Sequence, residues 1–202
     1  MEYIKKLQEF KGANGNKKNL DIQFEQLANY FLKEGYFMVN GKRKIYICDV
    51  EFYYHEEYPN GIKDWIMYHR NKTNSKGIFE KKDYFKMGQL NAHTSGIDIT
   101  FENKHEEYRA SMLIRGFKID NIDAPNNQRY DKRSTYFYEA LLNQEILYSK
   151  LIIEWVEKDD HPYRNETPEI ASRINVFKYN KEGEKTNIRC NRPWRFHFKL
   201  RK

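Results

Sequence analysis

Two cysteines, Cys48 and Cys190, are all that 202 residues contain. They are too few and too far apart for a zinc site or a disulfide framework. Free thiols in a reducing compartment are the simplest expectation. Long apolar runs are missing as well: nothing approaches the roughly 20 residues that span a bilayer. The opening stretch MEYIKKLQEFKG is amphipathic and has no secretory apolar segment. A cytoplasmic protein with no membrane partner is therefore expected. The chain also lacks HExxH, paired CxxC, a Walker loop and GxGxxG, and no serine sits in a nucleophile elbow. Neither a cofactor nor a metal is expected.

Aromatic rings and positive charge are what the chain has in excess. It carries 16 Tyr and 13 Phe, too many for a disordered chain. Lys and Arg outnumber Asp and Glu by 36 to 29, a net charge of +7, and the isoelectric point is about 9.1. Such a field draws phosphate polymers. Its bland alternative is solubility in a Lys- and Asn-rich composition. Basic residues concentrate at Lys42, Arg43 and Lys44 and in RPWRFHFKLRK near the C-terminus, which includes Arg195. With Arg70 these are the expected phosphate contacts, and the expected partner is nucleic acid, double-stranded DNA in the first instance, bound by a monomer.

The order of elements predicts one α+β domain over 1–202, with an N-terminal helix and polar loop over 1–19 and an α+β body over 20–202. The sheet is expected to be mixed and mostly antiparallel, flanked by helices. GANGNKKN (12–19) reads as a loop. Leu20, Phe24, Leu27 and Phe31 recur at helical spacing, with Gly35 placed as a C-cap. Asn40-Gly41 between aromatic-rich runs predicts a hairpin from 36–39 to 44–54. Two-residue alternation in its second strand places Tyr46, Cys48, Val50 and Phe52 on a core face, and Asp49, Glu51 and Tyr53 on the other. Further strands are expected at 96–102, 109–119, 174–179 and 194–200, and a helix over 135–148. LIIEWV (151–156) fits a strand or a continuation of that helix, and 55–90 reads as loop-rich.

Several residues on this scaffold could carry chemistry. Glu51, set among aromatics in VEFYY, is a candidate general base, because burial raises a carboxylate toward neutrality. The alternative is an acid paired with a Lys or Arg on a neighbouring strand. Tyr53 could stack on a planar ligand. Arg115 lies in the apolar strand ASMLIRGF and needs a carboxylate or phosphate if buried, or solvent if it emerges at the strand end. His93 precedes the small-residue turn Thr94-Ser95-Gly96, with Asp98 just after. It could carry a proton, contact a phosphate, or be a satisfied loop residue. In KDWIMYHR a helical reading pairs Asp64 with Tyr68 and Trp65 with His69.

The helix LANYFLKEG, the strand CDVEFYY and the strand ASMLIRGFKI, taken in order, resemble the alkyladenine (methylpurine) DNA glycosylases. The likeness covers about residues 24–145. Glu51 and Tyr53 match that family's Glu-x-Tyr, and Arg115 its Leu-Arg strand end. The resemblance implies a similar fold, a damaged base flipped into an aromatic pocket, and hydrolysis of its glycosidic bond by water activated by Glu51 with help from Arg115. Tyr53, His69, His93 and Asp98 would form the base pocket. Where the family has a Tyr-Gly wedge, this chain has Ser95-Gly96. Asn103 matches a pocket asparagine only in a shifted register. The competing expectations are a non-catalytic nucleic-acid binder with Glu51 and Arg115 as a structural ion pair, a metal-dependent nuclease built on Asp64 and Glu80-Lys81-Lys82, and a small-molecule enzyme or interaction protein whose basic charge is incidental.

Overall fold

Asn40 and Gly41 both adopt the left-handed conformation that closes a tight hairpin, with φ of 50° and 67°. In this computed structural model, which describes residues 2–74, 76–121, 124–131, 133–141, 151–158, 161–179 and 185–199, the turn joins β1 (Gly35–Val39) to β2 (Arg43–Glu56). Two helices precede them, α1 (Glu2–Gln8) and α2 (Lys17–Lys33). After them come β3 (Lys72–Thr73), β4 (Phe79–Glu80), β5 (Leu90–His93), β6 (Gly96–Thr100), β7 (Tyr108–Asn121) and β8 (Ala124–Asp131). A 3-10 turn (Ser134–Tyr136) leads into α3 (Phe137–Leu141). The chain continues through β9 (Ile153–Glu157), β10 (Glu169–Ala171), β11 (Phe177–Tyr179), β12 (Lys185–Arg189) and β13 (Arg195–His197).

Nine strands make one curled sheet, and its spine is the long pair β2–β7. On one flank β1 and β13 share the edge of β2; on the other β6 and β8 share the edge of β7. β5, β9 and β10 extend these flanks. All described pairings are antiparallel, so the fold is a single mixed α+β domain. β3–β4 and β11–β12 are separate two-stranded hairpins.

Helix α2 covers one face of the sheet. Leu20, Phe24, Leu27 and Phe31 are all buried, and Phe24 stacks on Phe52 with ring centres 4.5 Å apart. The helix starts inside the stretch read as loop, because the Asn16 side chain accepts a hydrogen bond from the Asn19 N–H (3.2 Å) and caps it. Gly35 is not a left-handed cap. Glu34 caps the helix, and Gly35 already pairs with Glu157 of β9. A Cβ at Gly35 would lie 2.5 Å from the Val156 carbonyl oxygen, so close approach of two strands requires the glycine.

Strict alternation fails in β2. The register runs Ile47↔Phe117, Asp49↔Gly116, Val50↔Ile114, so Cys48 is an extra residue on β2 and Arg115 on β7. The two bulges switch the faces of both strands. Before them Ile45 and Ile47 join the core; after them Cys48, Val50, Phe52 and Tyr54 do. Tyr46 is thereby turned to the opposite face, against Tyr36 and His161.

KDWIMYHR is not helical but a series of turns. The Asp64 N–H donates to His55 Nδ1 (3.2 Å) and the Asp64 carboxylate grips Arg173, pinning the segment to β2. In LIIEWV the residues from Ile153 onward enter strand β9, anchored by Trp155 against Tyr3, Phe31 and Phe37. The expected helix over 135–148 is observed as far as Leu141, and 142–148 lie outside the described residues. No helix among the described residues is long and apolar enough to cross a membrane.

Candidate active site

The face of the sheet opposite α2 is polar and deeply buried. In register, Glu51 faces Leu113, which faces Asp98; Tyr53 faces Ser111, which faces Thr100. Residues paired in this way project to the same side of a sheet. Tyr53, Ser111, Leu113 and Asp98 consequently form the floor of a cavity of about 410 Å³. Its walls come from the turns at 66–69 and 93–95. Tyr53, His69, His93 and Asp98 thus share one cavity, joined there by Tyr68 and Ser95.

Two histidine–carboxylate pairs stand at this cavity. His93 Nε2 lies 3.1 Å from Asp98 Oδ1, and His93 Nδ1 accepts the Ser95 N–H (3.2 Å). His69 Nδ1 is in contact with Glu102 Oε1. The other ring nitrogen of His69, Nε2, is buried and has no hydrogen-bond partner among the described residues. A carboxylate beside Nδ1 favours the tautomer that carries its proton on Nδ1 and its lone pair on Nε2. The Tyr68 ring packs against both imidazoles, at 4.7 Å from His69 and 4.9 Å from His93. Burial, then the charge of Asp98, raises the Tyr68 hydroxyl above its ordinary value, so it stays a neutral donor.

Behind His69 lies a second layer. Glu102 Oε2 accepts from Arg109 Nη1 (3.1 Å) and from the Phe85 N–H (2.8 Å). Arg109 is fully buried and also donates to Glu57 (2.9 Å) and to the carbonyls of Lys82 and Asp83 (both 2.6 Å), with its guanidinium 3.6 Å from the centre of the Tyr84 ring. Arg109 and Glu102 were not singled out by sequence reasoning. The one signal available was an Arg opening an apolar strand, the same signal that drew attention to Arg115.

Glu51 stands apart from the cavity. It is fully buried and does not line it. Oε1 accepts the Ile174 N–H (2.6 Å) and lies 3.5 Å from Arg115 Nε; Oε2 accepts the Tyr53 hydroxyl (3.0 Å). Burial raises the Glu51 carboxyl, against the pull of Arg115. Burial and the neighbouring Glu51 likewise raise Tyr53 well above its usual value, which keeps the phenol protonated and donating. Arg173, bound through both nitrogens to Asp64 (2.5 and 3.1 Å), sits 4.7 Å over the Tyr53 ring.

The expected phosphate contacts are dispersed. Arg195 forms a two-pronged pair with Asp49 (2.9 and 2.6 Å). Arg43 is buried, Lys44 reaches over the Tyr36 ring (5.5 Å), Arg70 lies over Trp65 (5.0 Å), and Lys42 is exposed in the hairpin turn. The acids proposed for a nuclease are each held by other cations, Asp64 by Arg173 and Glu80 by Lys72 and Lys82. Among the described residues no group of three or more His, Cys, Asp or Glu is arranged to hold a metal ion. The chain matches no family model, no curated protein and no solved structure.

Proposed function

We propose that this protein receives a nucleobase-sized planar group in the Tyr53–His69–His93–Asp98 cavity and hydrolyses its N-glycosidic bond by acid–base catalysis. The observation that carries the proposal is His69, a buried imidazole at the cavity with a carboxylate behind Nδ1 and an unpartnered Nε2. Nε2 takes a proton from water as the water oxygen bonds to the sugar carbon. The C–N bond breaks with its electron pair leaving on the base, so a base that is already cationic departs neutral, and a neutral base departs as its anion and takes a proton from solvent water. Asp98 balances the positive charge that develops on the sugar. Tyr53 and Tyr68 supply the rings that hold an extruded base. The resemblance to methylpurine glycosylases supplies the reaction class, and the +7 charge the nucleic-acid substrate.

In this proposal Glu51 is a positioning residue. Its carboxylate is enclosed by Tyr53, Ile174 and Arg115 and orients the Tyr53 ring. The same enclosure favours a second reading, a non-catalytic nucleic-acid binder in which Glu51 and Arg115 are a structural ion pair.

Release of free base from alkylated or deaminated duplex, scored as alkali-sensitive breaks, distinguishes the two. His69→Ala is expected to lower release about a hundredfold or more, the scale of general-base catalysis. Glu51→Gln, which keeps an acceptor for Ile174, is expected to lower it less. No release by the wild-type protein across a panel of damaged bases favours the binder.

A further inference from the structure

We infer that the β3–β4 hairpin is a docking element for single-stranded nucleic acid. The hairpin projects from the segment that begins just after His69, and two of its side chains, Ile78 and Phe79, are 58% and 63% exposed. Elsewhere among the described residues large apolar side chains are mostly buried, so an adjacent exposed pair at the start of a short strand invites a partner.

The charge around that pair says what kind. Residues 70–86 hold six Lys or Arg against two acids, a net +4 within a chain of net +7. Lys72 and Lys82 are partly neutralised by Glu80, at 3.7 and 3.9 Å. Lys76, Lys81 and Lys86 are exposed. An aromatic ring flanked by exposed lysines is the arrangement that stacks an unpaired base while tracking its phosphates. A bilayer is the poorer match, because two apolar side chains bury little area and stable anchoring needs an extended apolar face.

The hairpin is built to hold its shape. Asn74 Oδ1 accepts the N–H groups of Lys76 and Ile78 (both 3.0 Å), and Asn74 Nδ2 donates to Glu80 (3.1 Å). Its base is fastened by Arg109, which donates to Asn71 Oδ1 (3.3 Å) and to the Lys82 carbonyl, while the Lys82 N–H returns to Asn71 (2.9 Å). Arg109 also holds Glu102, the carboxylate behind His69. Hairpin and cavity wall are thus fixed to one guanidinium.

The inference rests on the nucleic-acid reading above only for the choice of ligand, and binding is measured separately from base release. Fluorescein-labelled oligothymidylate is titrated with the full chain at low salt and followed by anisotropy. Phe79→Ala is expected to weaken binding about fivefold or more, the scale of one base–aromatic stack, with the salt slope unchanged. Lys76→Gln and Lys81→Gln should each reduce the log–log salt slope by roughly 0.7, the value for one phosphate on a single strand. Unaltered melting temperatures establish that the variants fold. The inference is overturned if wild type does not bind the strand, or if Phe79→Ala binds it as wild type does. Phe79-dependent binding to phosphatidylserine vesicles in place of the strand also overturns it and makes the hairpin a membrane-surface contact.

Discussion

Arg115 has no partner in the β2–β7 register, and its Nε lies 3.5 Å from Oε1 of Glu51, whose own register partner is Leu113. Counted back from Phe117, which is in the core, regular alternation would have put the guanidinium in the core too; the bulge leaves it on the face of Leu113 and Glu51. An Arg in an apolar strand is thereby delivered to the carboxylate that needs it.

Arg115→Met should leave the Glu51 carboxylate buried without its cation. A loss of roughly 1–3 kcal/mol is expected at neutral pH, less than the 3–5 of a fully buried pair because the Arg115 side chain retains 17% exposure. The Glu51 carboxyl is raised by burial, so its contribution is intact below the unfolded-state value and is lost as pH rises. The penalty of Arg115→Met should therefore be smaller at pH 5 than at pH 7.5. Urea denaturation at both values reads this, and equal losses would contradict it.

Glu102→Gln should be more damaging than its single charge suggests. Glu102 serves His69, Arg109 and the Phe85 N–H at once. Arg109 keeps Glu57 as a second carboxylate, so a loss of about 2 kcal/mol is expected, measured by calorimetry. His69→Ala, which removes one ring and leaves the Arg109 network in place, should cost less than Glu102→Gln does.

His55 gives the fold an acid-sensitive point. Burial, opposed by Glu57, lowers it to about 4, and its Nδ1 accepts the Asp64 N–H. Its folded-state value lies below the unfolded one, so its contribution is fully present above about pH 6.5. That contribution declines as pH falls toward about 4. Glu51 acts with the opposite sign. His55→Asn should therefore flatten the fall in stability between pH 7 and pH 5, whatever it costs at pH 7. Paired denaturation curves of wild type and variant would show it, and parallel pH profiles would count against it.

Gly35→Ala tests the junction of β1 and β9. The added methyl would meet the Val156 carbonyl oxygen at 2.5 Å and the Trp155 ring at 2.8 Å. Backbone cannot yield as a flexible side chain can, so about 1–3 kcal/mol of destabilisation is expected by thermal melting. Gly41→Ala, where nothing lies within 4 Å, should cost only the strain of its positive φ.

Local chemistry was legible in the sequence. Asn40-Gly41 specified a hairpin because few other residue pairs accept positive φ. The stripe Leu20, Phe24, Leu27, Phe31 specified α2 because a 3.6-residue period has one way to face a core. Runs of β-branched and aromatic residues located β2, β6 and β7. Glu51, Tyr53, His69, His93 and Asp98 stood out singly, since a polar group in apolar or glycine-rich surroundings must be paired or used.

What joined them was decided only in three dimensions. Tyr53, Ser111, Leu113 and Asp98 share a floor through the registers of three strands distant in sequence. Those registers depend on long-range pairing, which no local pattern encodes. The bulges at Cys48 and Arg115 reversed the faces of two strands, turning Tyr46 away from the core and keeping Arg115 off the core face of Phe117, beside Glu51. KDWIMYHR had the spacing of a helix, yet Arg173, more than a hundred residues later, took Asp64 and held the segment in turns that place His69 at the cavity. Residue spacing reports a chain's preferences over one or two turns; a buried charge is satisfied by whichever partner the whole fold brings to it.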